Sequence, residues 1–137
     1  MAVKIFLDTN IVLDYLLERS GELDEIEQLI NLAEDDKIDC YVSESVLATS
    51  LYFLQKNKLD GIAVLRELIS VIKILPFKSE ILFFPVEKFK DPEDGLLYYL
   101  AFHNKMDYFI TRNIKDYKAV HPELAVLTPS AFLKIIE

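Results

Sequence analysis

Short apolar runs rich in β-branched and aromatic residues alternate with stretches of helical spacing along the whole chain, and that alternation restricts the fold more than any other feature. Residues 3–7, 38–42, 71–75, 108–111 and 125–127 read as strands, bounded by polar or proline positions. Between them Leu23, Ile26, Leu29, Ile30 and Ala33 recur at helical spacing, as do Val46, Leu47, Leu51 and Leu54. Residues 11–18 and 59–69 read as further helices. Asn10 and Ser43 are placed to cap helices. Asp91-Pro92-Glu93-Asp94 opens another helix through residue 104, with Asp at N-cap, Pro at N1 and acids in the first turn. Thr128-Pro129-Ser130 starts a terminal one ending near Ile136. The segment 78–89 begins like a helix at Ser79, but Pro85 interrupts it. The order of elements predicts an α/β protein: a three-layer α/β/α sandwich around a central, mostly parallel sheet of about four or five strands. With no repeat, linker or low-complexity segment, residues 1–137 read as a single domain.

Composition removes several classes. Hydrophobic residues make up 52% of the chain, enough for a sizeable core and too much for a disordered one. Lys plus Arg is 15 against 23 Asp plus Glu, a net charge of −8, which argues against a simple basic nucleic-acid clamp. The single cysteine, Cys40, excludes an intrachain disulfide and a Cys-based zinc site, and reads as a small buried hydrophobe. The apolar N-terminal run is broken by Lys4, Asp8 and Asp14 and lacks a cleavage signal, and no run reaches the ~18 residues of a membrane span. A cytoplasmic protein is expected.

Parallel sheets bind ligands at the C-terminal ends of their strands. Asp8 closes the first strand, Asp91 and Asp94 open the helix before the fourth, and Thr111, Arg112, Asn113 and Asp116 follow the fourth. Asp8 interrupts a strongly apolar stretch, and a lone buried carboxylate is costly. Carboxylates converging on one cleft raise one another's pKa, and a hard divalent cation relieves this. Such a site suits phosphodiester hydrolysis. Asp91 reads equally well as a helix cap. Asp14, Asp24, Asp35, Asp36 and Asp60 read as solvated surface charges, and His103 and His121 as surface or boundary residues. The Tyr52/Phe53 and Tyr98/Tyr99 pairs read as core or interface aromatics.

Three segments, Phe6-Leu7-Asp8-Thr9-Asn10-Ile11-Val12-Leu13-Asp14, Asp91-Pro92-Glu93-Asp94-Gly95 and Ile110-Thr111-Arg112-Asn113-Ile114-Lys115-Asp116-Tyr117, together resemble the motifs of PIN-domain ribonucleases in order and spacing. The resemblance implies a small α/β/α fold and RNA cleavage with Mg²⁺ or Mn²⁺ held by three or four acids. It also implies frequent homodimers and, for the many members of the VapC type, a role as the toxin paired with a small antitoxin. Carried over, Asp8, Asp94 and Asp116 are the expected catalytic acids and metal ligands, with Asn113 assisting the metal. Thr9, Asn10, Ser43, Thr49, Asp91 and Thr111 are expected to support them, and Lys90, Arg112 and Lys115 to meet RNA. Two positions depart from the family pattern. Thr49 stands where a Glu is usual, with Glu44 nearby, and Asn113 stands where Asp usually follows Thr-Arg. Lys88, Lys90, Lys105, Arg112, Lys115 and Lys118 place six of fifteen positive charges around the proposed mouth. Leu16, Leu17, Tyr52 and Phe53 offer an apolar face for a homodimer or an antitoxin helix. Two other readings compete: a PIN domain that binds RNA or protein without cutting, and a haloacid-dehalogenase-type phosphohydrolase with Asp8 as nucleophile. The latter wants a second Asp where Asn10 stands.

Overall fold

In the computed structural model, which describes residues 2–19, 21–117 and 120–137, β1 (Val3–Leu7) occupies the centre of the sheet. Its place follows from its composition: Ile5, Phe6 and Leu7 are all buried, so both faces of the strand must be covered. β2 (Ile38–Ser43) and β3 (Lys73–Leu75) extend the sheet on one side. β4 (Tyr108–Ile110) and β5 (Ala125–Leu127) extend it on the other. The order is β3-β2-β1-β4-β5 and every pairing is parallel.

Alternation along β1 divides the core into two layers. Ile5 and Leu7 join Cys40, Val42 and Ile110 on one face. There they meet Ile11 and Val12 of α1 (Thr9–Leu16), Leu29 of α2 (Leu23–Glu34), Val46 of α3 (Ser45–Lys56), Leu65 of α4 (Gly61–Leu68) and Phe132 of α6 (Pro129–Ile136). Phe6 points the other way and stacks on Phe109 at 5.3 Å. Its layer holds Leu97, Tyr98 and Tyr99 of α5 (Pro92–His103), together with Phe89 and Tyr117. Helices thus cover both faces, as the alternation of elements predicts. Burial pushes the Cys40 thiol up to about 12, consistent with an inert apolar filler.

Local boundaries differ from expectation in four places. The first helix starts at Thr9, and Asp8 rather than Asn10 is its N-cap, because the Ile11 and Val12 N–H groups donate to the Asp8 carbonyl. Ser43 ends β2 and bonds Ser45 through its hydroxyl at 2.8 Å, so Glu44 takes the N-cap of α3. β3 begins only at Lys73, since the Val71 and Ile72 N–H groups both turn back to the Leu68 carbonyl and close α4. Segment 78–89 resolves into two 3₁₀ turns, Ser79–Phe83 and Val86–Lys88, on either side of Pro85.

The chain builds β1, β2 and β3 outward in one direction, then crosses to β4 and β5 in the other. The reversal lies between β1 and β4, and the crevice at their C-terminal ends is where such sheets receive ligands.

Candidate active site

Leu7 pairs with Ile110 across the switch point, and the Asp8 N–H continues that ladder to the Ile110 carbonyl at 2.9 Å. The next residues on the two strands, Asp8 and Thr111, therefore meet. The Thr111 hydroxyl is buried, donates to Asp8 Oδ2 at 2.9 Å and accepts the Asn113 N–H at 3.1 Å. Asp8 is only 5% exposed. Burial raises its pKa above the usual 3.8, while Thr111, the Thr9 N–H, Tyr117 and the Arg112 charge pull it down.

Asp94 reaches the crevice from the first turn of α5. Asp91 caps that helix by accepting the Glu93 N–H at 3.0 Å, and Pro92 follows at N1. The helix is seated by Gly95: a Cβ there would lie 2.6 Å from the Val86 carbonyl oxygen and 3.0 Å from Val86 Cα, so only glycine lets α5 approach the second 3₁₀ turn. Asp94 also has a raised pKa, through burial first and then through the charges of Asp91, Asp8 and Asp116, with the Tyr117 hydrogen bond opposing.

Tyr117 ties the two acids together. Its hydroxyl lies 2.9 Å from Asp94 Oδ1 and 3.2 Å from Asp8 Oδ1. The ring is 2% exposed and packs on Phe109 at 4.5 Å. Burial, the Asp8 charge and the Asp94 contact push the phenol's pKa upward, so it stays protonated. One phenol proton thus faces two carboxylates. Sequence reasoning gave Tyr117 no role, because a motif-ending aromatic reads as core; the signal was a phenol in place of a plain ring directly after Asp116.

Asp14 is not a surface charge: it is fully buried. The Arg112 guanidinium donates to both its oxygens at 3.0 Å, and Arg19 Nε donates to Oδ1 at 3.1 Å. Helix α1 is buried from Ile11 through Asp14 on consecutive positions, so it has no solvated face there on which Asp14 could sit. Arg112, expected at the RNA, forms a strut between the β4 end and α1 while its side chain stays 38% exposed. Asp116 lies in a 3₁₀ turn, Ile114–Asp116, exposed yet near enough to act on Asp94. Asn113 caps that turn with its backbone. Glu44 accepts the Phe77 N–H at 3.1 Å, an attachment at the end of β3. Thr49 is half-buried on α3, and Thr9 and Asn10 are half-buried at the start of α1. Lys90 and Lys115 are exposed, and Lys118 lies outside the described residues. Among the described residues no three Asp, Glu, His or Cys side chains gather closely enough to hold a cation by themselves. The donor set still fits Mg²⁺ or Mn²⁺, since Mg²⁺ is commonly held by one or two carboxylates and completed by water and substrate phosphate. Asp8 and Asp94 supply that pair, with one phenol proton between them.

The switch-point crevice thus receives a buried carboxylate from β1, a second carboxylate from the helix before β4 and a Thr from the β4 end. The sequence pattern of the PIN domain family matches residues 4–115, and the chain belongs to that family. The haloacid-dehalogenase reading of Asp8 falls with that membership. Ribonuclease VapC1 of Aquifex aeolicus (strain VF5) is 29% identical over 136 residues, covering 94% of this chain and 92% of that protein. The fold is similar to VapBC2 from Rickettsia felis, solved bound to a promoter DNA fragment, with TM-score 0.68 and 21% identity over 92% of this chain and 98% of that one. A toxin–antitoxin complex from Klebsiella pneumoniae gives TM-score 0.69 and 22% identity over 91% and 97%. No helix among the described residues is long and apolar enough to cross a membrane.

Proposed function

We propose that this protein is a metal-dependent endoribonuclease, the toxin of a type II toxin–antitoxin pair, acting in the cytoplasm on RNA phosphodiester bonds. The observation that carries the reading is the pairing of Asp8 and Asp94 at the β1/β4 crevice with a single phenol proton between them. The relative named as a ribonuclease supports the reaction class, and the toxin–antitoxin complexes of like fold support a small antitoxin as partner. Asp8 and Asp94 would hold Mg²⁺ or Mn²⁺, with Asp116 and Asn113 beside them. The ion would activate a water and stabilise charge developing on the phosphate. Thr111 fixes one Asp8 oxygen and Tyr117 the other, so the carboxylate is oriented before substrate arrives. Lys90 and Lys115 stand on the rim, where phosphate contacts position RNA without reading its sequence.

The test is cleavage of RNA with Mn²⁺ and with a chelator, beside Asp8→Asn. Cleavage is expected only in the wild-type protein with metal. Asn keeps the size of Asp8 but replaces one of the oxygens that accept from Thr111 and Tyr117 by an NH₂ group, so thermal unfolding measured beside cleavage shows that the variant is folded. Equal cleavage by Asp8→Asn would remove the crevice from the chemistry. The neutral residues Thr49 and Asn113 favour a second reading, an RNA- or protein-binding PIN module without cleavage; wild-type RNA binding without any metal-dependent cleavage would establish it.

A further inference from the structure

The hydroxyl of Tyr117 bridges Asp94 Oδ1 at 2.9 Å and Asp8 Oδ1 at 3.2 Å. We propose that Tyr117 is a switching hydrogen-bond donor. It holds the two acids in the metal-free protein and turns its proton to a substrate phosphate oxygen when a divalent cation neutralises them, so that metal and RNA bind cooperatively. The inference rests on the metal-dependent ribonuclease reading and adds to it a residue that positions the phosphate.

Packing alone does not call for this hydroxyl. A plain ring would fill the same slot against Phe109 at 4.5 Å and Phe89 at 6.4 Å, and a buried hydroxyl is unfavourable unless it is hydrogen-bonded. The side chain is 2% exposed, so it cannot swing out to water. Its backbone is fixed too: the Tyr117 N–H donates to the Ile114 carbonyl at 3.0 Å and closes the 3₁₀ turn Ile114–Asp116. The acids are equally constrained. Asp8 Oδ2 is held by the Thr111 hydroxyl, which itself accepts the Asn113 N–H, and Asp94 rides on α5, seated by Gly95 against Val86. In this frame the freedom left to the phenol is rotation about its C–O bond. Burial keeps it protonated, so no bond to hydrogen breaks.

The proton turns to the least compensated negative charge. Without a cation that is the Asp8 and Asp94 pair, where the hydroxyl stands between two like charges. Once neutralised, the carboxylates attract the proton much less, and the locked hydroxyl is left with a buried donor in need of an acceptor. A phosphate supplies one. Asp8 is 5% exposed and Asp94 half-buried, so substrate reaches the pair from the Asp94 side, where the shorter hydrogen bond of Tyr117 lies. A phosphate oxygen entering there meets that donor, and hydrogen bonds to an ionised acceptor are roughly twice as strong as neutral ones. Tyr117 thus opposes a cation that arrives alone and favours one that arrives with a phosphate.

The experiment is calorimetric titration of Mn²⁺ into wild-type protein and Tyr117→Phe, each alone and with a saturating short 2′-O-methyl oligouridylate whose length is checked afterwards. Alone, Tyr117→Phe should bind Mn²⁺ about threefold more tightly than wild type, because no hydroxyl competes for the acids. The strand should tighten Mn²⁺ binding about tenfold in wild type and about threefold or less in Tyr117→Phe, and by linkage Mn²⁺ should tighten strand binding by the same factors. A role in packing alone would lower the melting temperature and leave these factors equal. Equal factors, weaker or unchanged Mn²⁺ binding by the variant alone, or no Mn²⁺ binding by wild type would each overturn the switch. If Tyr117→Phe does not fold, the wild type decides by itself: its tyrosine ultraviolet absorption must shift when Mg²⁺ is added, and an unchanged spectrum overturns the switch. If RNA is cleaved with Mn²⁺ while both proteins show equal factors, the switch fails and the nuclease reading survives. If the coupling depends on Tyr117 while wild type cleaves no RNA, the switch stands and the nuclease reading fails.

Discussion

Arg112→Ala removes one of the two guanidinium groups that neutralise Asp14 and leaves a fully buried carboxylate with Arg19 alone. Breaking a buried ion pair from one side costs ~3–5 kcal/mol, because the surviving charge is stranded away from water. Two facts lower that figure here. Arg19 remains 3.1 Å from Asp14, and the guanidinium partners are 38% and 44% exposed, so solvent already screens them. A loss of about 1.5–3 kcal/mol is the expected result. At roughly 4 °C per kcal/mol for a chain of this size, melting should fall by about 6–12 °C. The converse change behaves differently. Asp14→Leu takes away the buried charge, and both arginines can turn to water, so its cost should be about 1 kcal/mol or less. The double variant Asp14→Leu/Arg112→Ala should recover most of what Arg112→Ala alone loses. Thermal unfolding of the four proteins gives the coupling, and oligouridylate binding measured beside it shows whether RNA affinity moves. A normal melting temperature in Arg112→Ala together with a large loss of RNA affinity would refute the strut and return Arg112 to the substrate.

Three further perturbations follow from the same geometry. Tyr117→Phe keeps the ring on Phe109 but removes the proton between Asp8 and Asp94; with chelator it should lose about 1–2 kcal/mol, and Mn²⁺ should raise its melting temperature more than it raises the wild type's. An unchanged melting temperature in chelator would show that the phenol offsets nothing. In metal-free protein the raised pKa values of Asp8 and Asp94 mean that the folded state keeps protons the unfolded chain has released. Stability should therefore decline as pH rises from about 3.8 through the raised values, and Asp8→Asn should flatten that decline in urea titrations; an equal slope in both proteins would count against it. Gly95→Ala drives a methyl into the Val86 backbone and should cost ~1–3 kcal/mol while loosening Mn²⁺ binding through the neighbouring Asp94, as calorimetry would show; wild-type stability would mean that the α5 approach is not tight.

The layers of the fold were legible because each rests on a local pattern. β1 is apolar on successive residues, so it had to be central, and Asp8 at its end had to be exceptional. The Asp-Pro-Glu-Asp start of α5 is likewise local chemistry, and the helix begins where it predicts. What escaped was non-local. The fate of Asp14 depends on Arg112, 98 positions away, and the role of Tyr117 depends on carboxylates 109 and 23 positions away. Segment 78–89 escaped for another reason: its path is set by packing under α5, where Ile81 and Phe89 are buried, and not by a periodicity of its own.

Those long-range contacts bear on the two departures from the family pattern. Thr49 on α3 and Asn113 add no charge, and the charge at the crevice rests on Asp8 and Asp94, with Asp116 acting on Asp94 from outside. Burial alone would protonate such a pair and so weaken its grip on a cation. Thr111, Tyr117 and Arg112 oppose this at Asp8, and Tyr117 opposes it at Asp94. A hydroxyl, however, has one proton and can donate it to one carboxylate at a time. Whichever acid holds it, the other faces the crevice without a full partner from Tyr117. The chain thus keeps both carboxylates oriented and available while leaving a deficit of positive charge between them, and a divalent cation is the group whose charge matches that deficit.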